Sequence, residues 1–300
     1  MPNFFKVLIC CAWLTFAFSC QIPQAQKAEQ FTAELAVILG EGKPKEALDL
    51  IHAMEESLPN GDALTEQKNW PIELEIFHGY SALDEFDAGI PWLLASIQHV
   101  NALHGPDSHE ALSVSAAYGY YLRRIDQATD ARFHLEPIVL KLTAGWGTED
   151  RGTIDACSEL ADVYRDLELP TKALPLHRQV LEQDRRLLGN SNIRTARAGR
   201  NLAVTLIHLE QYEEAEPLII EAVATFKSVS GPYSPETFEA RMIISYLHFL
   251  TQRFQQSLDG FHLLEKEMLN TYGEGAEGLS MIREFIRSLE RTLGQQTEDL

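Results

Sequence analysis

Gly189-Asn190-Ser191-Asn192 decides the fold, because the chain repeats this kind of stretch at a fixed interval. Counting back 42 residues finds Gly147-Thr148-Glu149-Asp150, and 42 more finds Gly105-Pro106-Asp107-Ser108. Counting forward finds Gly231-Pro232-Tyr233-Ser234, and a fifth copy begins at Gly273. Five glycines in one phase, with no insertion between them, mark a stacked-repeat array.

Further columns keep this phase. Gly119, Ala161, Ala203 and Ser245 are small, and so are Ala131, Ala173, Ala215 and Ser257 twelve positions later. Small residues at both places let two helices pack backbone against backbone. Large apolar residues precede the first column at Tyr118, Leu160, Leu202 and Ile244. Beyond the second come Leu135, His177, Ile219 and Phe261, then Ile138, Val180, Ala222 and Leu264. Spacings of three, four and seven describe one face of a helix. Each unit therefore reads as a helix A, a short turn, a helix B and the glycine loop.

This pattern resembles the tetratricopeptide repeat, and its 42-residue period resembles the kinesin-light-chain type of that repeat. Asn201-Leu202-Ala203 and Gln211-Tyr212-Glu213-Glu214-Ala215-Glu216-Pro217-Leu218 carry the likeness, so the third unit matches best. The fourth, with Ser245 and Ser257 in both small columns, departs most. The resemblance implies an all-α fold, a right-handed superhelical solenoid of antiparallel helix pairs. In such an array helices A line a concave groove and helices B form the convex face.

Four parts follow along the chain. Residues 1–19 read as a signal peptide, 20–103 as divergent N-terminal helical repeats forming a cap, 104–272 as four repeats, and 273–300 as a capping helix and tail. Lys6 precedes an apolar run from Val7 to Phe18, which is short for a membrane span and suits an export signal. Ala17 and Ser19 suit a small-x-small cleavage. Ser19-Cys20 also resembles the end of a bacterial lipobox, which implies lipidation of Cys20, although Ala17 and Phe18 depart from the usual residues there. An uncleaved hydrophobic anchor is the remaining reading. Export places the chain in the periplasm or at a membrane of a bacterial cell envelope. Cys10, Cys11 and Cys20 belong to this segment, so Cys157 alone lies well inside the mature chain, where a small buried residue is expected on helix A.

Within 20–103 the phase is weaker. Residues 31–39 and 45–58 read as one helix pair closed by Pro59-Asn60-Gly61-Asp62, and 72–86 and 88–103 as a second. Phe77 sits where a small residue belongs, so the packing there must differ. Pro175 and Pro217 stand near the start of helix B, where missing N–H groups matter least, whereas Pro137 lies deeper and a kink is expected. At the other end Arg287 occupies a small column, and Arg283, Glu284, Glu290 and Arg291 give the last helix the polar side of a terminal cap.

No catalytic constellation stands out. The chain has no His-Glu-x-x-His, no phosphate-binding loop, no Gly-x-Ser-x-Gly and no cysteine pair at zinc spacing. His104 and His109 flank the first loop with Asp107 and Glu110, yet loop histidines are common; His177 and His248 take packing positions. No metal or cofactor is expected. The formal net charge of −19 argues against nucleic acid and against an anionic membrane surface, leaving a lipid on Cys20 as the membrane link.

What an array offers is a groove. The positions three before, one after and four after the small column should face it: Ala116, Tyr120 and Arg123; Ser158, Asp162 and Arg165; Arg200, Val204 and Ile207; Met242, Tyr246 and Phe249. Arg124, Arg197 and Asn201 adjoin them, and the resemblance implies that Asn201 holds a ligand's backbone. Arginine suits carboxylates, and aromatic residues are common interface anchors. The expected partner is therefore an extended protein segment bearing acidic groups and an apolar anchor. Against this, Asp155, Glu159, Asp162 and Asp166 stand ready to neutralise the arginines. The sequence thus points to a non-catalytic scaffold of the cell envelope. The alternatives are a structural subunit docking through its convex face or termini, and an enzyme whose activity sits in the divergent N-terminal third.

Overall fold

The computed structural model describes residues 24–40, 43–58, 68–276 and 278–298. The signal segment, Cys20 and the turn expected at 59–62 lie outside them. The described residues form thirteen α-helices and no strand, in two compact units divided at Pro106 and Asp107.

The first unit holds α1 (Gln24–Gly40), α2 (Pro44–Glu56), α3 (Trp70–Ala82) and α4 (Phe86–His104). Phe31, Leu35, Ala47, Ile51, Met54, Ile72, Ile76 and Tyr80 close its core. Phe86, expected to end α3, instead opens α4 after a turn whose Asp84 has a φ of 59°. Phe77, fully buried, is accommodated because Gly89 faces it: a Cβ on Gly89 would come within 3.3 Å of the Phe77 ring. A large residue on helix A is thus matched by the absence of one on helix B.

The second unit contains α5 (His109–Arg124), α6 (Ala128–Trp146), α7 (Arg151–Asp166), α8 (Pro170–Leu188), α9 (Ile193–His208), α10 (Tyr212–Val229), α11 (Pro235–Leu250), α12 (Phe254–Tyr272) and α13 (Leu279–Glu298). Each helix packs on its successor, and α5 also packs on α7, so the A helices share one face. Helices α5, α7, α9 and α11 begin the same way. Ser108, Asp150, Asn192 and Ser234 accept hydrogen bonds from Ala111, Thr153, Arg194 and Thr237 backbone N–H groups at 3.1, 2.9, 2.9 and 3.2 Å. Such caps satisfy the first free donors of a helix. Gly105, Gly147, Gly189 and Gly231 precede them at φ between 81° and 99°, and Gly273 follows α12 at 77°, backbone that favours glycine.

The small columns form the A–B contacts. Ala161, Ala203, Ala131, Ala173, Ala215 and Ser257 are all fully buried. In the fourth repeat the two serines keep their hydroxyls satisfied: Ser257 Oγ donates to the Ser245 carbonyl at 2.8 Å, and Ser245 Oγ donates to that of Arg241 at 3.0 Å. Helix α6 runs through Pro137 without interruption, and Pro137 is on its exposed side. Finally, α13 seals the last core with Leu279, Ile282, Ile286 and Leu289. No helix of the described residues is long and apolar enough to cross a membrane.

Candidate functional site

The face shared by α5, α7, α9 and α11 gathers the residues expected to line a groove, but not all of them reach solvent. Ala116, Asp162 and Ile207 are buried, at 5%, 7% and 8% exposure, so this part of the expected groove belongs to the core. Tyr120, Arg123, Arg165, Arg200, Asn201, Val204, Met242, Tyr246 and Phe249 are half-buried, while Arg124 and Arg197 are exposed.

The arginines are engaged within the chain. Arg123 donates from Nη1 to Asp166 at 3.2 Å, holds Nε 3.8 Å from Glu159, and lies over the Tyr120 ring at 5.7 Å. Arg165 Nη2 is 2.8 Å from Asp162. Arg197 donates to Glu236 at 3.1 Å, and Arg200 donates to Glu239 and to the side-chain oxygen of Asn201. Asn201 in turn donates to Asp162 at 3.3 Å, so the residue expected to hold a ligand's backbone is tied to the neighbouring repeat. Most of these bonds join one repeat to the next. The expected neutralisation by Asp155, Glu159, Asp162 and Asp166 is therefore present, and Glu236 and Glu239 extend it. The expectation of carboxylate recognition by these arginines loses its basis. The sequence signal was available: Glu236 and Glu239 lie 39 residues after Arg197 and Arg200, one repeat less one turn.

A compact polar cluster occupies the middle of this face. Asp155, Glu159, Asp162 and Asp166 recur at helical spacing on α7 and so share one stripe. Burial, then the neighbouring Asp162 charge, pushes the Glu159 carboxyl up to about 7, with Arg123 opposing. Only 28% of the Glu159 side chain is exposed. Burial works against the Arg123 charge, yet Glu159, Asp162 and Asp166 outweigh it and raise its pKa. Behind the stripe His177 on α8 is 1% exposed, with Nε2 3.6 Å from Asp162. Burial depresses this imidazole to about 4, which leaves it neutral at physiological pH. His177 was expected only to pack; it also adjoins the cluster.

Towards α13 the face becomes aromatic. Tyr246 stacks on Phe249 at 6.2 Å between centroids, and Phe285 of α13 meets them at 5.5 and 6.1 Å while stacking on Phe261 at 5.0 Å. Met242 packs against the same cluster. The expected aromatic strip is thus partly covered by the capping helix. Phe285 lies 42 residues after Ile243, a position the sequence reading did not assign to this face. On the B helices, Phe133 and Leu140 of α6 are exposed, at 62% and 71%.

The remaining candidates hold structure together. His109 bonds Asp150 at 2.9 Å and meets the Trp146 ring at 5.2 Å, and His104 meets Trp70 at 6.3 Å. His248 Nε2 is 3.7 Å from Glu216, which Arg253 also binds. Among the described residues no group of three or more His, Cys, Asp or Glu is placed to hold a metal ion. Cys157 is a free, buried thiol, raised to about 11 by burial, with Gln179 donating to its sulfur at 3.7 Å. In the first unit buried Glu73 receives His99 at 2.9 Å and ties α4 to α3.

Comparison with known proteins agrees with this architecture. Residues 154–216 match the tetratricopeptide repeat family model. No curated protein matches the chain by sequence. Among solved structures, BtubC (BKLC) from P. vanneervenii is 13% identical, with a TM-score of 0.58 over 83% of this chain and 94% of its own. The kinesin light chain nearly identical TPR-like repeats from Podosopora anserina are 15% identical, with a TM-score of 0.53 over 67% of this chain and 95% of theirs. A Rap protein complexed with Competence and Sporulation Factor is 13% identical, with a TM-score of 0.50 over 89% and 88%. At these identities the likeness is one of fold. The family match identifies tetratricopeptide repeat sequence over residues 154–216, and the shared fold is that of an all-α helical solenoid.

Proposed function

We propose that this chain is a non-catalytic scaffold that binds a protein partner along the face formed by its A helices. The observation that carries the reading is the row of half-buried side chains on that face. Tyr120, Val204, Met242, Tyr246 and Phe249 stand in register on α5, α9 and α11. Aromatic and apolar side chains that are partly exposed on a rigid helical surface give a partner area to bury without a large ordering cost. The fold neighbour solved with Competence and Sporulation Factor bound makes a ligand-binding role natural for an array of this kind. Export and lipidation at Cys20, read from the first twenty residues, assign the scaffold to the bacterial cell envelope.

The test is capture of partners from envelope extract by the wild-type chain and by a Tyr120→Ala/Val204→Ala variant. Loss of the same partners from a folded variant supports the reading. Undiminished capture moves the interface elsewhere. The exposed Phe133 and Leu140 favour a second reading for that case, a structural subunit docking through its B helices.

A further inference from the structure

Four B helices of the second unit end on an exposed apolar residue: α6 on Trp146, α8 on Leu188, α10 on Val229 and α12 on Tyr272. Trp146, Leu188 and Tyr272 keep the 42-residue phase, so stacking sets them in one row along the edge where the glycine loops turn. Leu187 and Tyr233 widen the row, and all six side chains are 37% to 56% exposed. A contiguous apolar patch of this kind marks a contact surface. It belongs neither to the A-helix face nor to the stripe of Phe133 and Leu140 on α6. Its rings are held in place. Tyr272 donates its hydroxyl to the Tyr233 carbonyl at 2.7 Å, both rings pack on Phe238 at 5.8 and 6.3 Å, and Trp146 meets His109 at 5.2 Å. The charges beside the row are matched within the chain. Asp107 pairs with Lys141 at 2.6 Å, Glu149 with Arg186 at 2.5 Å, Asp150 with His109 at 2.9 Å and Glu274 with Arg283 at 2.9 Å, while exposed Lys227 adds a cation. In a chain of net charge −19 this edge is locally balanced.

Building on the reading that the chain is anchored at a membrane, we infer that this row is a second membrane contact, its side chains entering the headgroup region of a zwitterionic lipid surface. Tryptophan and tyrosine, each an apolar ring with a polar tip, favour that boundary. Leucine and valine beside them add apolar area that gains from leaving water. A protein partner would bring a polar rim of its own, and the rim charges here are already spent within the chain. A second copy would set −19 against −19. Headgroups that carry both signs need no net countercharge and match a balanced edge. A tether raises the local concentration of the surface, so a contact of six side chains suffices.

The full chain, purified from bacterial membranes and reconstituted in phosphatidylcholine vesicles, tests this. A photoreactive phosphatidylcholine in the bilayer should label the peptides that contain Trp146, Leu188 and Tyr272, read by mass spectrometry. The Trp146→Asp/Leu188→Asp variant, whose melting midpoint reports that it is folded, should take up about tenfold less label there. Vesicles that retain the chain with the row unlabelled would overturn the contact and leave the anchor standing. Equal labelling of the variant would reduce the signal to chance encounter and overturn the contact. A chain that does not stay with the vesicles would overturn the anchor and the contact together. A photoreactive residue at Leu188 that captures a protein in cells, and no lipid, would give the row to a protein partner and overturn the lipid.

Discussion

Two glycines inside A helices make opposite predictions for the same substitution. A Cβ on Gly119 would lie 2.4 Å from Leu135 Cγ and 2.6 Å from both its Cδ atoms. Leu135 is fully buried on α6, so it has nowhere to turn. A Cβ on Gly199 would meet only the Leu218 carbonyl oxygen at 3.8 Å and Leu181 Cδ1 at 3.9 Å, both ordinary contacts. Replacing a helical glycine with alanine gains about 0.5–1 kcal/mol from reduced backbone freedom. Overpacking a tight core costs about 1–3 kcal/mol. Gly199→Ala should therefore stabilise by about 0.5–1 kcal/mol, and Gly119→Ala should destabilise by up to about 2.5 kcal/mol after that gain is subtracted. In a unit of this size each kcal/mol moves the melting midpoint by about 2–4 °C. Thermal melts of the two variants beside wild type should show midpoints shifted in opposite directions. A Gly119→Ala midpoint equal to or above that of Gly199→Ala would refute the register of the α5–α6 contact.

Three further outcomes follow from the same structure. Because Glu159 is raised to about 7 in the folded chain, its ionised form disfavours folding. Its contribution is therefore favourable at low pH and is lost as pH rises through about 7; urea melts should show Glu159→Gln gaining about 1–2 kcal/mol on wild type between pH 5 and pH 8, and a constant difference would contradict this. Cys157, buried with its thiol raised to about 11, should resist iodoacetamide in the native chain and react on unfolding, read by mass spectrometry of its peptide. In bacteria fed labelled palmitate the chain should take up label and Cys20→Ser should not; equal label in both would remove the lipid anchor.

The array was legible because its two determinants are written in small residues. The loop glycines adopt a backbone that favours glycine, and the paired small columns have no room for larger side chains. The turn between helices A and B was not legible as a column. It is held by Asp84, Asp126, Glu168, Glu210 and Gln252, all at φ near 60°, and none is a glycine that would announce it. The end of α3 was misplaced for that reason. The face of the A helices was legible by phase, but whether an arginine there is available depends on carboxylates 36 to 43 residues away. The 39-residue spacing of Arg197–Glu236 and Arg200–Glu239 follows the repeat phase, whereas the 36- and 43-residue spacings from Arg123 to Glu159 and Asp166 do not share one interval. Met242, Tyr246 and Phe249 were legible by phase as a strip on one face, while their partial cover by Phe285 required knowing how α13 docks.

The claim that the A-helix face is the binding surface is tested most directly by site-specific photo-cross-linking in cells. A photoreactive residue at Tyr120, Val204 or Met242 should capture a defined protein partner, and one at Phe133 or Leu140 should capture none. Adducts confined to Phe133 and Leu140 would contradict the account and make the B-helix face the interface.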